Sequence, residues 1–131
     1  MLNLLHIENI AVIEQADIQF GKGFNVLTGE TGAGKSIVID AISAILGERA
    51  YRDVIRTGTS KASVTAVFSE IPKLEWFEQF GVEYDPDELM VQRDIHADGK
   101  NVCRVNGHPV SVAILKKLGG SLVNIHGQHD S

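Results

Sequence analysis

Three features of this 131-residue sequence predict an α/β fold in which an antiparallel β layer is built onto a strand–loop–helix core. The first is the octet Gly29-Glu30-Thr31-Gly32-Ala33-Gly34-Lys35-Ser36, which meets the phosphate-binding pattern G-x-x-x-x-G-K-[ST] at every fixed position. The second is its setting. The short, mostly apolar run 24–28 (Phe-Asn-Val-Leu-Thr) suits a buried strand and feeds straight into the octet, and 36–46 reads as the helix that leaves it. The third is order: three strands precede that helix, whereas the simplest kinase or GTPase arrangement has the loop after the first strand of a parallel sheet.

The octet's composition follows from what it has to hold. Phosphates need several backbone N–H groups turned inward, and a chain without Cβ atoms at Gly29, Gly32 and Gly34 can wrap that closely. The helix that follows points its positive dipole end at the same place. Lys35 would bring a mobile charge to the β- and γ-phosphates, and the Ser36 hydroxyl would sit in the shell of a Mg²⁺ ion.

In chain order, 2–8 and 11–20 mix apolar and polar residues at near period two, with a break near Asn9, and are read as two strands. Gly21-Lys22-Gly23 is a turn into the strand before the octet. Along the helix, Ile37, Val38, Ile39, Ala41, Ile42, Ala44, Ile45 and Leu46 are apolar on nearly all sides, which predicts burial, and Gly47 is the expected C′ residue. Arg49, Arg52 and Arg56 follow in a stretch read as a solvated loop and short helix. The β-branched run 62–68 is a strand. Residues 73–80 form a short amphipathic helix with Leu74, Phe77 and Trp76 or Phe80 inward. Residues 88–96 and 100–106 pair as a hairpin through Ala97-Asp98-Gly99. After the Asn106-Gly107 turn, Ser111 caps a helix from Val112 to Leu118, Gly119-Gly120 stops it, and 121–125 is a last strand. His126 and His129 lack a defined third ligand, so their spacing predicts no metal site.

The bulk properties bound the partners. The chain is one domain's worth, 44% hydrophobic and 22% charged, and no apolar run reaches the ~18 residues of a membrane helix, so a soluble protein with no membrane partner is expected. The start of the chain has no secretory pattern, and Cys103 is the single cysteine, which agrees with a reducing compartment; the cytoplasm is the expected location. Twelve basic against seventeen acidic residues give a formal charge of −5, which is no general footprint for nucleic acid.

Four blocks then carry a resemblance that pattern and spacing do not supply. Leu4-Leu5-His6-Ile7-Glu8-Asn9-Ile10-Ala11, the octet with Leu27-Thr28 before it, Leu46-Gly47-Glu48-Arg49-Ala50, and Val123-Asn124-Ile125-His126-Gly127-Gln128-His129 together resemble the amino-terminal part of the RecN family. These are bacterial SMC-like ATPases of recombinational double-strand break repair. The resemblance implies a P-loop NTPase of ABC/SMC head type, with residues 1–131 forming its first lobe and ending where a coiled-coil insertion begins. It implies ATP and Mg²⁺ as cofactors and assigns Gln128 to a glutamine loop, where an amide can coordinate the cation and orient water. It further implies three partners for the whole protein: the carboxyl-terminal lobe of the same head, a second head, and DNA ends near the nucleoid.

A complete site of that kind also needs a strand ending in Asp-Glu and a signature loop, and neither is in this sequence; hydrolysis by the 131 residues alone is expected to be negligible. Two other classes make different demands on the sequence. A GTPase predicts an Asn-Lys-x-Asp motif, which is absent, and a small kinase predicts an Arg-rich lid. A non-catalytic DNA-binding or scaffold module rests only on Arg49, Arg52, Arg56, Lys61 and Arg104.

Overall fold

The computed structural model describes residues 1–20, 32–50 and 52–127. The turn at 21–23 and the strand expected over 24–28 lie outside them. Six strands form one sheet: β1 (Leu2–Ile10), β2 (Ile13–Gln19), β3 (Lys61–Phe68), β4 (Leu89–His96), β5 (Asn101–Val105) and β6 (His108–Val110). They lie side by side in the order β2-β1-β3-β4-β5-β6, and every neighbouring pair is antiparallel. This is the antiparallel layer the strand order predicted. The break near Asn9 is the turn between β1 and β2, with Asn9 and Ala11 at φ of 56° and 51°.

Period-two patterning decides which face is buried. One row crosses the sheet as Ile18, Leu5, Ala66, Val91 and Val105, and every member is buried. Burying each of the larger aliphatic members is worth about 1.5–3 kcal/mol relative to leaving it exposed. On this face lie the helices α1 (Gly32–Ile45), which packs on β1, β3 and β4, and α3 (Val112–Gly127), which packs on β5. The short helix α2 (Glu75–Phe80) lies against α3. Trp76 and Phe77 are its buried residues; the Trp76 indole N–H donates to the Ile114 carbonyl at 3.0 Å, and Phe77 meets Tyr84 edge-on at 5.1 Å.

Four expectations need correction. Gly119-Gly120 does not stop a helix and 121–125 is not a strand, because α3 runs unbroken through both to Gly127. Leu115, Leu118 and Leu122 are fully buried at helical spacing, and that stripe overrides the glycines' poor helix propensity. The helix after the phosphate-loop pattern begins at Gly32, inside the octet, rather than at Ser36. It is not buried all round either: Ile37, Val38, Ala41 and Ile45 are buried, while Ile39 is 55% exposed among the described residues. Beyond these four, 108–110 forms β6, brought back against β5 by the two-residue Asn106-Gly107 turn, with both residues at positive φ.

Candidate functional site

Because α1 begins at Gly32, the second half of the octet occupies its first two turns. Gly29, Glu30, Thr31 and Gln128 lie outside the described residues, and for Gly32 and Ala33 only the backbone is described. Ile37, Val38, Ala41 and Ile45 fix the inward side of the helix, which leaves Lys35 and Ser36 exposed at its amino end. The first turn carries no acidic side chain to offset the positive end of the dipole. Among the described residues, a Cβ built on Gly34 would meet nothing within 4 Å. The structure therefore brings Gly34, Lys35 and Ser36 together at a helix start facing outward, an arrangement chemically suited to an anion.

The carboxyl end of α1 is capped and packed against both α3 and the sheet. Gly47, at φ +86°, donates to the Ala44 carbonyl at 3.1 Å, and the Glu48 N–H donates to the Ser43 carbonyl at 3.1 Å, which is a complete Schellman cap and bears out Gly47 as the C′ residue. Helix α3 crosses here so closely that a Cβ on Gly119 would lie 2.1 Å from the Leu46 carbonyl oxygen, and a Cβ on Gly47 2.4 Å from the Lys116 Cα. From below, the Arg93 side chain on β4 reaches up from the sheet. It is 2% exposed; its Nη1 donates to the Ala44 and Glu48 carbonyls at 2.8 and 2.7 Å, and its Nε to Asn101 Oδ1 at 3.0 Å. Burial pushes the guanidinium below its ordinary pKa, partly opposed by the neighbouring Cys103, whose own thiol burial raises. A hollow of about 350 Å³ lies beside this end, lined by Asp40, Ser43, Glu48 and Arg49 among others, and none of Gly34, Lys35 or Ser36 lines it.

The outward face of the sheet holds a second polar group. His6 lies opposite Asp17 on β2 and Thr65 on β3, with its Nδ1 against Asp17 Oδ1 and its Nε2 2.7 Å from Glu8 Oε2. Hydrogen bonds to Asp17 and then Glu8 raise its pKa, with desolvation opposing them. Of the basic residues behind the DNA-module reading, Arg56 and Lys61 both meet Asn9 through their backbones, the Arg56 N–H donating to the Asn9 carbonyl at 2.8 Å and the Lys61 carbonyl accepting from Asn9 Nδ2 at 3.4 Å. Lys61 pairs with His96 and Arg104 with Gln92, at different levels of the outward face, while Arg49 follows α1 at its carboxyl end.

Sequence reasoning missed Arg93 and the His6 group. The signal for Arg93 was there: Leu89, Val91, Arg93 and Ile95 share one parity, so any register that buries the aliphatic members also buries the arginine. For His6 the cue was Glu8 at i+2, on the same face of a strand.

With this geometry in hand, comparison with known proteins gives a consistent result. The AAA domain family matches residues 4–105. The DNA repair protein RecN of Halalkalibacterium halodurans is 45% identical over 133 residues, covering 99% of this chain and 24% of that protein. RecN of Bacillus subtilis is also 45% identical, covering 100% of this chain and 23% of that protein. The chain thus spans about a quarter of the length of these relatives. Among solved structures, an SMC ATPase studied for ATP-driven dimerization and DNA-stimulated activation superposes with a TM-score of 0.68 at 23% identity, covering 88% of this chain and 75% of that one. The SMC head domain of Thermotoga maritima gives 0.62 at 24% identity, covering 88% and 41%. At these identities the likeness establishes the fold, which is the amino-terminal lobe of an SMC/ABC-type ATPase head.

Proposed function

Since the chain belongs to the AAA-domain family and corresponds to the amino-terminal head region of RecN-type DNA repair proteins, we propose that it is the ATP-binding lobe of an ATPase that acts in recombinational double-strand break repair. The observation that carries the reading is the outward-facing helix start at Gly34, Lys35 and Ser36, inside a complete phosphate-loop pattern. The donor set fits both ligands: an ammonium and a positive helix end suit phosphate oxygens, and an exposed hydroxyl suits a hard cation.

In this reading the backbone of Gly29, Glu30, Thr31, Gly32, Ala33 and Gly34 cradles the phosphates. The Lys35 ammonium moves onto the β- and γ-phosphate oxygens and offsets the charge that builds there as water attacks in line. The Ser36 hydroxyl and the Gln128 amide would hold the cation, and Gln128 would also orient the attacking water. Mg²⁺ held there would supply positive charge to offset that of the phosphates. The loop is one half of a composite site. Its remaining groups, an Asp-Glu strand end and a signature loop, would come from the carboxyl-terminal lobe and from a second head. ATP-driven pairing of heads, as in the SMC ATPase to which the fold is similar, would then be coupled to holding DNA ends.

The reading is tested by equilibrium binding of a labelled ATP analogue with and without Mg²⁺. Lys35→Ala should reduce binding to background, and Ser36→Ala should remove most of the Mg²⁺ dependence. Parental binding by Lys35→Ala would sink the assignment.

A further inference from the structure

The carboxyl end of α1 holds one donor more than its capping requires. The Schellman bonds from Gly47 and Glu48 already satisfy the Ala44 and Ser43 carbonyls. Arg93 nevertheless sends a buried guanidinium to Ala44 again and to Glu48 beyond the cap, and Asn101 on β5 steers its Nε. Burying a guanidinium is expensive, and the Ala44 carbonyl already has its donor from the cap. What Arg93 adds is a tie between the helix's last turn, the chain that leaves it and the sheet beneath.

We propose that Arg93 is a positioning residue for the phosphate site, holding α1 at its far end so that Lys35 and Ser36 are presented in a fixed orientation. The inference rests on the nucleotide reading above. Helix α1 is a rod about 21 Å long, so a small rotation about a loosened carboxyl end becomes a larger displacement at the amino end. The two residues that would meet the ligand are exposed and have the helix as their support. The clamp needs a fork. Nη1 spans two carbonyls while Nε is held by Asn101, and a lysine, with one point of charge, cannot hold all three.

The test measures the dissociation constant of a labelled ATP analogue with Mg²⁺, together with the thermal midpoint, in the complete gene product. Arg93→Lys should weaken binding about tenfold while the protein stays folded. Asn101→Ala, which leaves the guanidinium in place but unsteered, should weaken it about threefold and decides the matter if Arg93→Lys fails to fold. Trp76→Phe is the structural control: it loses the bond to Ile114 and some stability, yet should bind as the parent does. Parental binding by Asn101→Ala and by folded Arg93→Lys overturns the proposal, as does equal weakening by Trp76→Phe. Lys35→Ala separates the two levels. If it abolishes binding while the Arg93 and Asn101 variants bind normally, only the positioning role fails; if it binds normally, the nucleotide reading fails and this inference with it.

Discussion

At its amino end α1 carries Lys35 and Ser36 exposed and no acidic side chain in the first turn. At its carboxyl end the same helix meets a Schellman cap, two glycines pressed against backbone and a buried arginine. One end has polar groups turned outward; the other has its last carbonyls bonded within the protein and its glycines in contact with a crossing helix. The difference separates two kinds of glycine. Among the described residues a Cβ on Gly34 would meet nothing within 4 Å, whereas Gly47 and Gly119 leave space for another part of the protein.

Substitutions should respect that division, and the largest effect is expected at the capped end. Gly119→Leu drives a side chain into the Leu46 carbonyl and should destabilise the fold by about 3 kcal/mol or more in denaturant unfolding. Gly47→Ala combines a left-handed φ with a backbone contact and should cost about 1–3 kcal/mol by the same measurement. Lys35→Ala, at the exposed end, should change stability by no more than about 0.5 kcal/mol while removing ATP-analogue binding. A large loss of stability there would mean that the amino end is also structural, and the comparison would break.

The smallest effect concerns the outward face of the sheet. His6 is held above its ordinary pKa by Asp17 and Glu8, so its protonated form is favoured in the folded state. Its contribution to stability should be complete below about pH 6.5 and be lost as pH rises through the raised value. Both carboxylates are about half exposed, so solvent screening keeps this contribution small. Asp17→Asn should lower the His6 pKa in an NMR titration of the imidazole and flatten the decline of stability on the alkaline side. An unmoved His6 titration would remove Asp17 as its cause.

Much of this architecture was legible in the sequence where local chemistry and tertiary packing agree. The β-branched run became β3, Asn106-Gly107 turned as its residue pair predicts, and the Ser111 hydroxyl accepts from the Ile114 N–H at 3.1 Å as an N-cap should. The octet declared the helix start, although the helix reaches further into it than its glycines suggested. What stayed illegible depends on partners distant in sequence. Gly119 reads as a helix stop until Leu46 is seen against it, and Arg93 reads as one more charge on a hairpin until the end of α1 is laid over it. Gln128, assigned by resemblance, lies beyond the described residues.

The contrast between the two ends is tested most directly by amide hydrogen exchange with and without a slowly hydrolysed ATP analogue and Mg²⁺. The account predicts new protection in residues 29–36 and the first turns of α1, with the Ala44–Glu48 amides unchanged because they are already bonded. Protection appearing instead around the hollow lined by Asp40, Glu48 and Arg49, with residues 29–36 unaffected, would contradict it.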